Sequence, residues 1–149
     1  MTDPIEKTLV VPLPPDRAFD LFTNRMASWW PLDKHSLSAG DGKVAQDVAI
    51  TPKVGGDVTE TKHNGTTVVW GKVVTWQPGK AFAMTWQLDR PEDEGTYLTI
   101  TFDAEDDGTR VTLIHDGWDA IPEPAQASRG HYSTGWEFVL CDRYKSAAQ

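Results

Sequence analysis

The C-terminal stretch of residues 123–147 constrains the fold more than any other part of this chain. At 100° per residue, its apolar and aromatic positions fall on one side of a helix, whereas Glu137 and Cys141 fall on other sides. Pro122 and Pro124 stand at its start, where proline precedes or opens a helix. A helix with large rings on one face needs a broad apolar surface to lie on. The predicted inner face consists of Tyr132, Trp136, Val139, Leu140 and Arg143.

Residues 44–118 supply that surface as about six consecutive predicted strands. Residues 81–88 and 96–104 alternate between apolar and polar positions, as a strand with one buried face does, and residues 109–116 continue the pattern. The Asn-Gly pair at 64–65 predicts a two-residue hairpin, and short connections make neighbouring strands antiparallel. The predicted core consists of Phe82, Met84, Trp86, Leu98, Ile100, Phe102, Val111, Leu113, Trp136 and Leu140.

A first strand and two short helices precede this sheet. Residues 5–11 form a β-rich run that ends at Pro12, and a helix starts at the Pro-Pro-Asp sequence of residues 14–16. A second short helix or turn covers residues 25–30, and a polar loop covers residues 31–43. The prediction is a single α+β domain over residues 1–149, in which a curved antiparallel sheet carries the C-terminal helix across its concave face.

The excess of acidic over basic residues disfavours two classes of binding partner, nucleic acids and anionic membranes. Fourteen basic and 22 acidic residues give a net charge of −8, whereas binding to a phosphate backbone needs a basic face. The same charge disfavours anionic membrane surfaces, and no apolar run approaches the roughly 20 residues of a membrane span. The single cysteine, Cys141, forms no internal disulfide, and the first residues lack a signal-peptide core. The expectation is a cytoplasmic protein without nucleic-acid binding or membrane insertion.

Short motifs run in a fixed order along nearly the whole chain. They are Val-Pro-Leu-Pro-Pro at 11–15, Trp-Trp-Pro at 29–31, Pro-Lys-Val-Gly-Gly at 52–56, Trp-Gly-Lys-Val at 70–73, Phe-Ala-Met-Thr-Trp at 82–86, Thr-Arg-Val-Thr-Leu-Ile-His-Asp-Gly-Trp at 109–118, and Gly135-Trp136 with Leu140. In this order they resemble the AHSA-type branch of the START-like (SRPBCC) superfamily, the activator of heat-shock-protein ATPase homologue domains. The resemblance implies a helix-grip fold. It selects no single function, because the superfamily contains lipid carriers, small-molecule receptors, cyclases and co-chaperone domains.

His115 is the most interesting titratable residue. It shares strand parity with Val111 and Leu113 and therefore points into the interior, where an imidazole orients a ligand or acts as an acid or base. The alternative is a structural histidine that is satisfied by a neighbour. Asp116 points the other way, so the two residues do not form a dyad by spacing. The sequence assigns no catalytic residue.

The histidines and the cysteine lack the spacing of a metal site. His35, His63, His115 and His131 are scattered, with no i, i+4 or His-x-His arrangement and no cysteine to supplement them. No P-loop, Gly-x-Ser-x-Gly or Gly-x-Gly-x-x-Gly motif is present. Neither a metal nor a cofactor is expected.

Two residues leave alternatives open. Arg143, on the predicted inner face of the last helix, either anchors a ligand carboxylate or buries its stem and keeps its head at the sheet edge or paired with a carboxylate. Trp70 shares parity with apolar positions of its strand, but Lys72 breaks that face. The direction of the Trp70 ring is therefore undetermined.

Five side chains are predicted to line a cavity between the last helix and the sheet. Trp86 and His115 point to the covered face by strand parity, and Tyr132 and Trp136 lie one helical turn apart above that face. Trp30 stands at the pocket mouth, where the short helix gives way to a glycine-containing loop. Bulky rings with one imidazole and one phenol suit a small hydrophobic or amphipathic ligand.

Two interpretations of other classes compete with ligand binding. A co-chaperone-like or stress-related protein-interaction domain needs an exposed apolar patch, for which Phe138 on the outward side of the last helix is the candidate. An enzyme that uses His115 in the cavity is the weaker alternative. The oligomeric state is not decided by the sequence, and a homodimer is left open.

Overall fold

The strands and helices follow the predicted order. The computed structural model describes residues 4–35, 38, 42–86, 96–118, 132 and 134–148. The described strands are β1 (Ile5–Val11), β2 (Asp47–Ile50), β3 (Asp57–Thr61), β4 (Thr67–Gln77), β5 (Ala81–Trp86), β6 (Thr96–Glu105) and β7 (Gly108–Asp116). The helices are α1 (Pro15–Phe22), a 3₁₀ turn (Met26–Ser28), and a C-terminal helix with a π-helical segment (Glu137–Tyr144) and a last turn (Lys145–Ala147). No helix among these residues is long and apolar enough to cross a bilayer.

The seven strands form one antiparallel sheet in the order β1-β7-β6-β5-β4-β3-β2. Strands β2 to β7 pair in sequence, and β1 pairs with β7, so that Ile5 lies opposite His115. The sheet curves as a half-barrel, and the C-terminal helix covers its inner face, where Trp136 meets Trp86. The predicted α+β helix-grip fold is confirmed.

The inner face of the sheet forms the hydrophobic core together with the helices. Alternate residues of β5, β6 and β7 are buried, as the period-two pattern predicts. All ten predicted core residues are buried. Leu88, at the end of the predicted alternation, lies outside the described residues. Burial of this apolar face is the main force that holds the helices on the sheet.

Helix α1 begins where the sequence predicts. Pro15 occupies its first turn, where a missing N–H costs nothing because that group would have no helical partner. Phe19 and Phe22 are buried on one side of the helix, and the Phe19 ring lies 5.3 Å from the ring of Phe102 in β6. α1 therefore closes one end of the sheet.

A bulge in β4 settles the direction of Trp70. A Cβ on Gly71 would lie 1.8 Å from the backbone oxygen of Thr85, so this close approach of β4 to β5 requires glycine. The register with β3 shifts at the same place, and the inner face passes from Trp70 to Gly71 and Val73. Trp70 is fully buried. Lys72 is exposed and does not interrupt the inner face.

The C-terminal helix departs from the predicted α-helical face. Hydrogen bonds in its π-helical segment run from i to i+5, so each turn holds more than the 3.6 residues of an α-turn. Positions four residues apart therefore stay nearly in line, and Trp136, Leu140 and Tyr144 are all buried. The prediction that Arg143 lies on the inner face was wrong, because it assumed α-helical spacing. Arg143 is exposed, and Tyr144 takes the inner position.

The hairpin between β3 and β4 is one residue longer than predicted. The N–H of Lys62 donates to the carbonyl oxygen of Thr66 at 2.8 Å, which leaves three residues in the loop rather than two. Gly65 has a φ of 86° at the last of them. A turn that ends on a residue in the left-handed region is the usual form of a three-residue hairpin loop. The Asn-Gly signal thus located the hairpin but not its loop length.

Candidate ligand-binding site

Seven aromatic rings meet beneath the first part of the C-terminal helix. Trp86 lies at their centre, and the ring centroids of five others are 5.3 to 6.3 Å from its own. The group, called here the Trp86 cluster, consists of Trp30, Trp70, Trp86, His115, Trp118, Tyr132 and Trp136. All five residues that the sequence predicts to line a cavity belong to it.

The rings of the Trp86 cluster lie on separate strands, turns and helices. The inner faces of three strands supply three rings, and the C-terminal helix supplies Trp136. Trp30 follows the turn Met26–Ser28, and its indole N–H donates to the carbonyl oxygen of His35 at 2.7 Å. The strand residues are Trp70 in β4, Trp86 in β5 and His115 in β7.

Tyr132 is the member through which the cluster meets the surface. The other four predicted residues are at most 5% exposed, whereas Tyr132 is partly exposed. Trp30, predicted at the pocket mouth, instead packs inward with its ring 5.4 Å from that of Trp70. The reason is the hydrogen bond to His35, which turns the indole toward the sheet.

Both ring nitrogens of His115 are engaged within the protein. Nδ1 accepts the indole N–H of Trp136 at 2.9 Å, which leaves the ring proton on Nε2. Nε2–H then donates to the hydroxyl oxygen of Thr96 at 2.6 Å, and that hydroxyl donates to the carbonyl oxygen of Trp86 at 3.2 Å. One chain of hydrogen bonds therefore links the C-terminal helix to β7, β6 and β5.

Burial keeps His115 neutral. Desolvation lowers the pKa of the imidazole from 6.5 to about 3, because a charged ring is disfavoured away from water. A general base needs a free ring nitrogen and a pKa near the working pH. His115 has neither, so the geometry agrees with the structural alternative weighed for this residue.

Glu60 is a buried carboxylate that the sequence pattern did not single out. Oε1 accepts the indole N–H of Trp70 at 3.0 Å, and Oε2 accepts both the backbone N–H and the hydroxyl of Ser38 at 3.0 Å. The two carboxylate oxygens therefore accept three hydrogen bonds, from Trp70 and Ser38. Glu60 thereby fixes the Trp70 ring and ties residue 38 to β3. Glu60 lies on the same side of β3 as the buried Val58, and this alternation is the signal that could have identified it.

Trp118 completes the cluster beside β7. Its indole N–H donates to the carbonyl oxygen of His115 at 2.9 Å, and its ring centroid lies 4.3 Å from that of the imidazole. The ring also lies 5.5 Å from Tyr132. Trp118 stands just beyond the end of the strand, where period-two alternation no longer predicts direction, so the sequence did not assign it to the site.

A second aromatic group lies under the later part of the C-terminal helix. The buried hydroxyl of Tyr144 donates to the carbonyl oxygen of Ala18 at 2.8 Å, and burial raises the pKa of this phenol. The indole N–H of Trp29 donates to the carbonyl oxygen of Leu21, also at 2.8 Å. The group, called here the Tyr144 cluster, consists of Phe19, Phe22, Trp29, Phe102 and Tyr144.

Phe138, the predicted interaction residue, is half-buried and covered by its neighbours. Its ring lies 5.8 Å from that of His35, and the cationic groups of Lys34 and Arg143 lie 5.3 and 5.9 Å from its centroid. Arg143 Nε also donates to the carbonyl oxygen of Trp29 at 3.4 Å. Arg143 thus caps the outside of the helix and is not a member of the Trp86 cluster.

The arrangement consists mostly of buried ring surface with few polar groups. The rings of the cluster are neutral at physiological pH, and its histidine is engaged on both sides. The indole N–H of Trp86 is buried and has no hydrogen-bond partner among the described residues. In the same parts of the chain, no three His, Cys, Asp or Glu side chains come together as metal ligands.

Solved structures share this architecture. An Aha1 dimer from Colwellia psychrerythraea is 19% identical, with a TM-score of 0.71 over 99% of this chain and 96% of that chain. An HSP90 activator from Plasmodium falciparum is 20% identical, with a TM-score of 0.59 over 95% and 91%. An anthrahydroquino-gamma-pyrone synthase is 26% identical, with a TM-score of 0.62 over 97% and 96%. The first two likenesses, at such low identity, show the fold alone.

The sequence itself identifies the family. No curated protein is similar enough to this chain to count as a match. The family model described as "Activator of Hsp90 ATPase homolog 1-like protein" matches residues 12–149. That span includes α1, six of the seven strands and the C-terminal helix. Because the model covers nearly the whole chain, this protein belongs to the Activator of Hsp90 ATPase homolog 1-like family.

Proposed function

We propose that the Trp86 cluster binds a small hydrophobic or amphipathic ligand between the sheet and the C-terminal helix. The observation that carries the proposal is the convergence of seven rings from separate parts of the chain at one end of that helix. Aromatic side chains provide large apolar contact areas with few rotatable bonds, as ligand pockets require. The hydrogen-bonded His115 and Thr96 hold the walls in place.

Tyr132 provides the access to this site. It is the partly exposed predicted member, and its ring lies 5.2 Å from His115 and 6.3 Å from Trp86. A rotation of one partly exposed side chain takes place on a nanosecond timescale without unfolding the core. A ligand that enters here reaches the centre of the cluster directly.

Native mass spectrometry of the purified protein tests the proposal first, through the mass of a co-purified small molecule. A thermal-shift panel of lipids and aromatic compounds follows. At a ligand concentration of about 100 times Kd, stabilisation of about 2.7 kcal/mol should raise Tm by roughly 5–10 °C. Absence of both a co-purified mass and any thermal shift would contradict ligand binding.

A matched pair of variants locates the site. Tyr132→Ala removes a wall of the cluster, and Phe138→Ala removes a half-buried ring from the outward side of the same helix. The ligand-induced shift should fall in the Tyr132 variant and persist in the Phe138 variant. The reverse result would place binding on the outer face of the helix.

The second candidate function is a co-chaperone-like protein interaction, which the family description and the Plasmodium falciparum relative favour. The ring of His35 and the cationic groups of Lys34 and Arg143 lie against Phe138, so the large exposed hydrophobic side chains of the described residues lie elsewhere. They are Val10, Val44, Val54, Val69, Val74 and Tyr97. The test is the ATPase rate of an Hsp90 with and without this protein, and an unchanged rate would count against the interaction.

Two other assignments, an enzyme and a homodimer, are each supported by one structural neighbour. The neighbour named as a synthase favours small-molecule chemistry in this architecture, but the engaged nitrogens of His115 give an enzyme no base at that position. The Colwellia psychrerythraea neighbour, named as a dimer, favours a homodimer for this chain. Light scattering after size-exclusion chromatography decides the oligomeric state, with a monomer mass as the contrary result.

A further inference from the structure

The indole N–H of Trp86 is an exception among the buried tryptophans. Five others donate a hydrogen bond of 2.7 to 3.0 Å to the protein. Trp86 is 5% exposed, and its Nε1 has no partner in the described part of the chain. The five satisfied donors are Trp29, Trp30, Trp70, Trp118 and Trp136. A buried donor without an acceptor is rare in native proteins and requires an explanation.

A bound water explains this donor poorly. A buried water needs two to four polar partners, and the rings around Trp86 are mostly apolar. Among the described residues, the polar atoms of His115 and Thr96 are already engaged, because both His115 nitrogens are bonded and the Thr96 hydroxyl donates to the Trp86 carbonyl. An acceptor carried by an apolar ligand satisfies the N–H without needing further polar partners.

We propose that Trp86 Nε1–H donates a hydrogen bond to a neutral acceptor, such as a carbonyl oxygen, on a planar aromatic ligand. This inference rests on the ligand-binding function proposed above. Trp30, Trp70 and Trp136 present rings to Trp86 at 5.3 to 6.3 Å, and such walls favour a flat aromatic molecule.

The apolar surroundings of the donor disfavour an anionic ligand. The Glu60 carboxylate is bonded to Trp70, whose ring centroid lies 5.4 Å from that of Trp86. An anionic ligand would leave water for surroundings made mostly of apolar rings, which is costly without a cationic partner. His115 is buried and accepts a hydrogen bond at Nδ1, so its ring is neutral and offers no compensating charge. A neutral ketone, ester or quinone is therefore the matching class.

The probes are 1-indanone and indane, two flat molecules of similar size that differ in one carbonyl group. Their dissociation constants are measured by calorimetry on the wild type, on Trp86→Phe and on Trp29→Phe. Trp29→Phe is the matched control, because it deletes the indole N–H of a ring in the Tyr144 cluster. That N–H is bonded to the carbonyl oxygen of Leu21. The affinity ratio of indanone to indane should fall about tenfold in Trp86→Phe and stay unchanged in Trp29→Phe.

Three outcomes overturn the assignment. A ratio that is equal in Trp86→Phe and the wild type removes Trp86 as the donor. Binding of other panel compounds without binding of either probe overturns the planar aromatic class alone. If no compound in the thermal-shift panel binds, the proposed function itself fails, and this inference fails with it.

A measurement on the wild type keeps the test independent of whether Trp86→Phe folds. In a ¹H–¹⁵N spectrum, the assigned Trp86 indole proton should move downfield with 1-indanone, because it gains an acceptor. Indane should not move it downfield. A Trp86 proton shift that is the same with both probes contradicts the proposal.

Discussion

The two aromatic clusters under the C-terminal helix are built from similar rings but differ in their hydrogen bonding. In the Tyr144 cluster, the buried phenol and the indole of Trp29 both donate to backbone carbonyl oxygens at 2.8 Å. In the Trp86 cluster, the central indole has no acceptor among the described residues. Apart from Tyr132, the rings of both groups are buried, so burial of the central rings does not distinguish them. Hydrogen bonding does distinguish the two clusters, because a buried donor in a core that binds no ligand is almost always paired with an acceptor.

The contrast assigns different roles to the two ends of one helix. The later end, with Leu140 and Tyr144, packs on α1 and closes the domain. The earlier end, with Trp136, contacts the rings of Trp86 in β5 and His115 in β7, and both of these rings contact the partly exposed Tyr132. We therefore interpret the Tyr144 cluster as the structural core and the Trp86 cluster as the binding site.

The largest expected effect is the loss of a central ring from either cluster. Phe22→Ala and Trp136→Ala should each lower the free energy of unfolding by about 3–5 kcal/mol, because each deletes a buried ring and leaves a cavity. Only Trp136→Ala should also weaken the ligand-induced thermal shift. Denaturant melts measure the stability. A loss of less than about 1 kcal/mol for Trp136→Ala would mean that this ring lines an empty or wet cavity in the free protein.

Acidification should destabilise the protein through the Trp86 cluster. The His115 pKa is about 3 in the folded protein and 6.5 in an unperturbed chain, so the unfolded state takes up the proton first as pH falls. Stability is therefore full above pH 6.5 and declines below it, by about 2 kcal/mol between pH 7 and pH 5. Urea melts at the two pH values measure this difference.

His115→Gln is the control for the pH effect. Glutamine keeps one donor and one acceptor but does not titrate, so the variant should show a smaller change in stability between pH 7 and pH 5. Because the imidazole is bonded to Trp136 and Thr96, the variant should also be less stable than the wild type at pH 7. A pH dependence equal to that of the wild type would show that other groups cause it.

The smallest expected effect compares the same substitution in the two clusters. Trp29→Phe and Trp86→Phe remove the same atoms, but only the first leaves a partly buried carbonyl, that of Leu21, without its donor. Trp29→Phe should therefore cost about 1 kcal/mol more than Trp86→Phe. Paired chemical melts measure the difference. Equal costs would mean that Trp86 has an acceptor in the free protein.

Strand periodicity predicted the parts of this molecule that depend on local pattern. The order of the strands, the ten core residues and the meeting of Trp86, His115 and Trp136 all follow from alternation and helical spacing. The helical prediction held as far as Leu140 and then failed at Arg143, because it assumed α-helical spacing where the segment is π-helical.

Other features of the site depend on pairings that no local pattern encodes. Trp70 turned inward because of a bulge at Gly71, where β4 approaches the backbone of β5. The bonds between Glu60 and Ser38, 22 residues away, form only after β3 and the preceding loop have met. The unpaired N–H of Trp86 is likewise a property of the assembled cluster.

The most direct test of the two-cluster account is a ligand titration followed through the indole N–H signals in ¹H–¹⁵N spectra. The seven tryptophans report on both clusters in one measurement. The signals of Trp30, Trp70, Trp86, Trp118 and Trp136 should move as a compound from the thermal-shift panel binds. The signal of Trp29, whose ring lies 5.8 Å from that of Trp30, should move less, and that of Trp76, which contacts Phe19 and Phe82, should stay in place. Equal movement of the Trp29 signal, or a bound ligand that leaves the Trp86 signal unmoved, would contradict the assignment of the binding site to the Trp86 cluster.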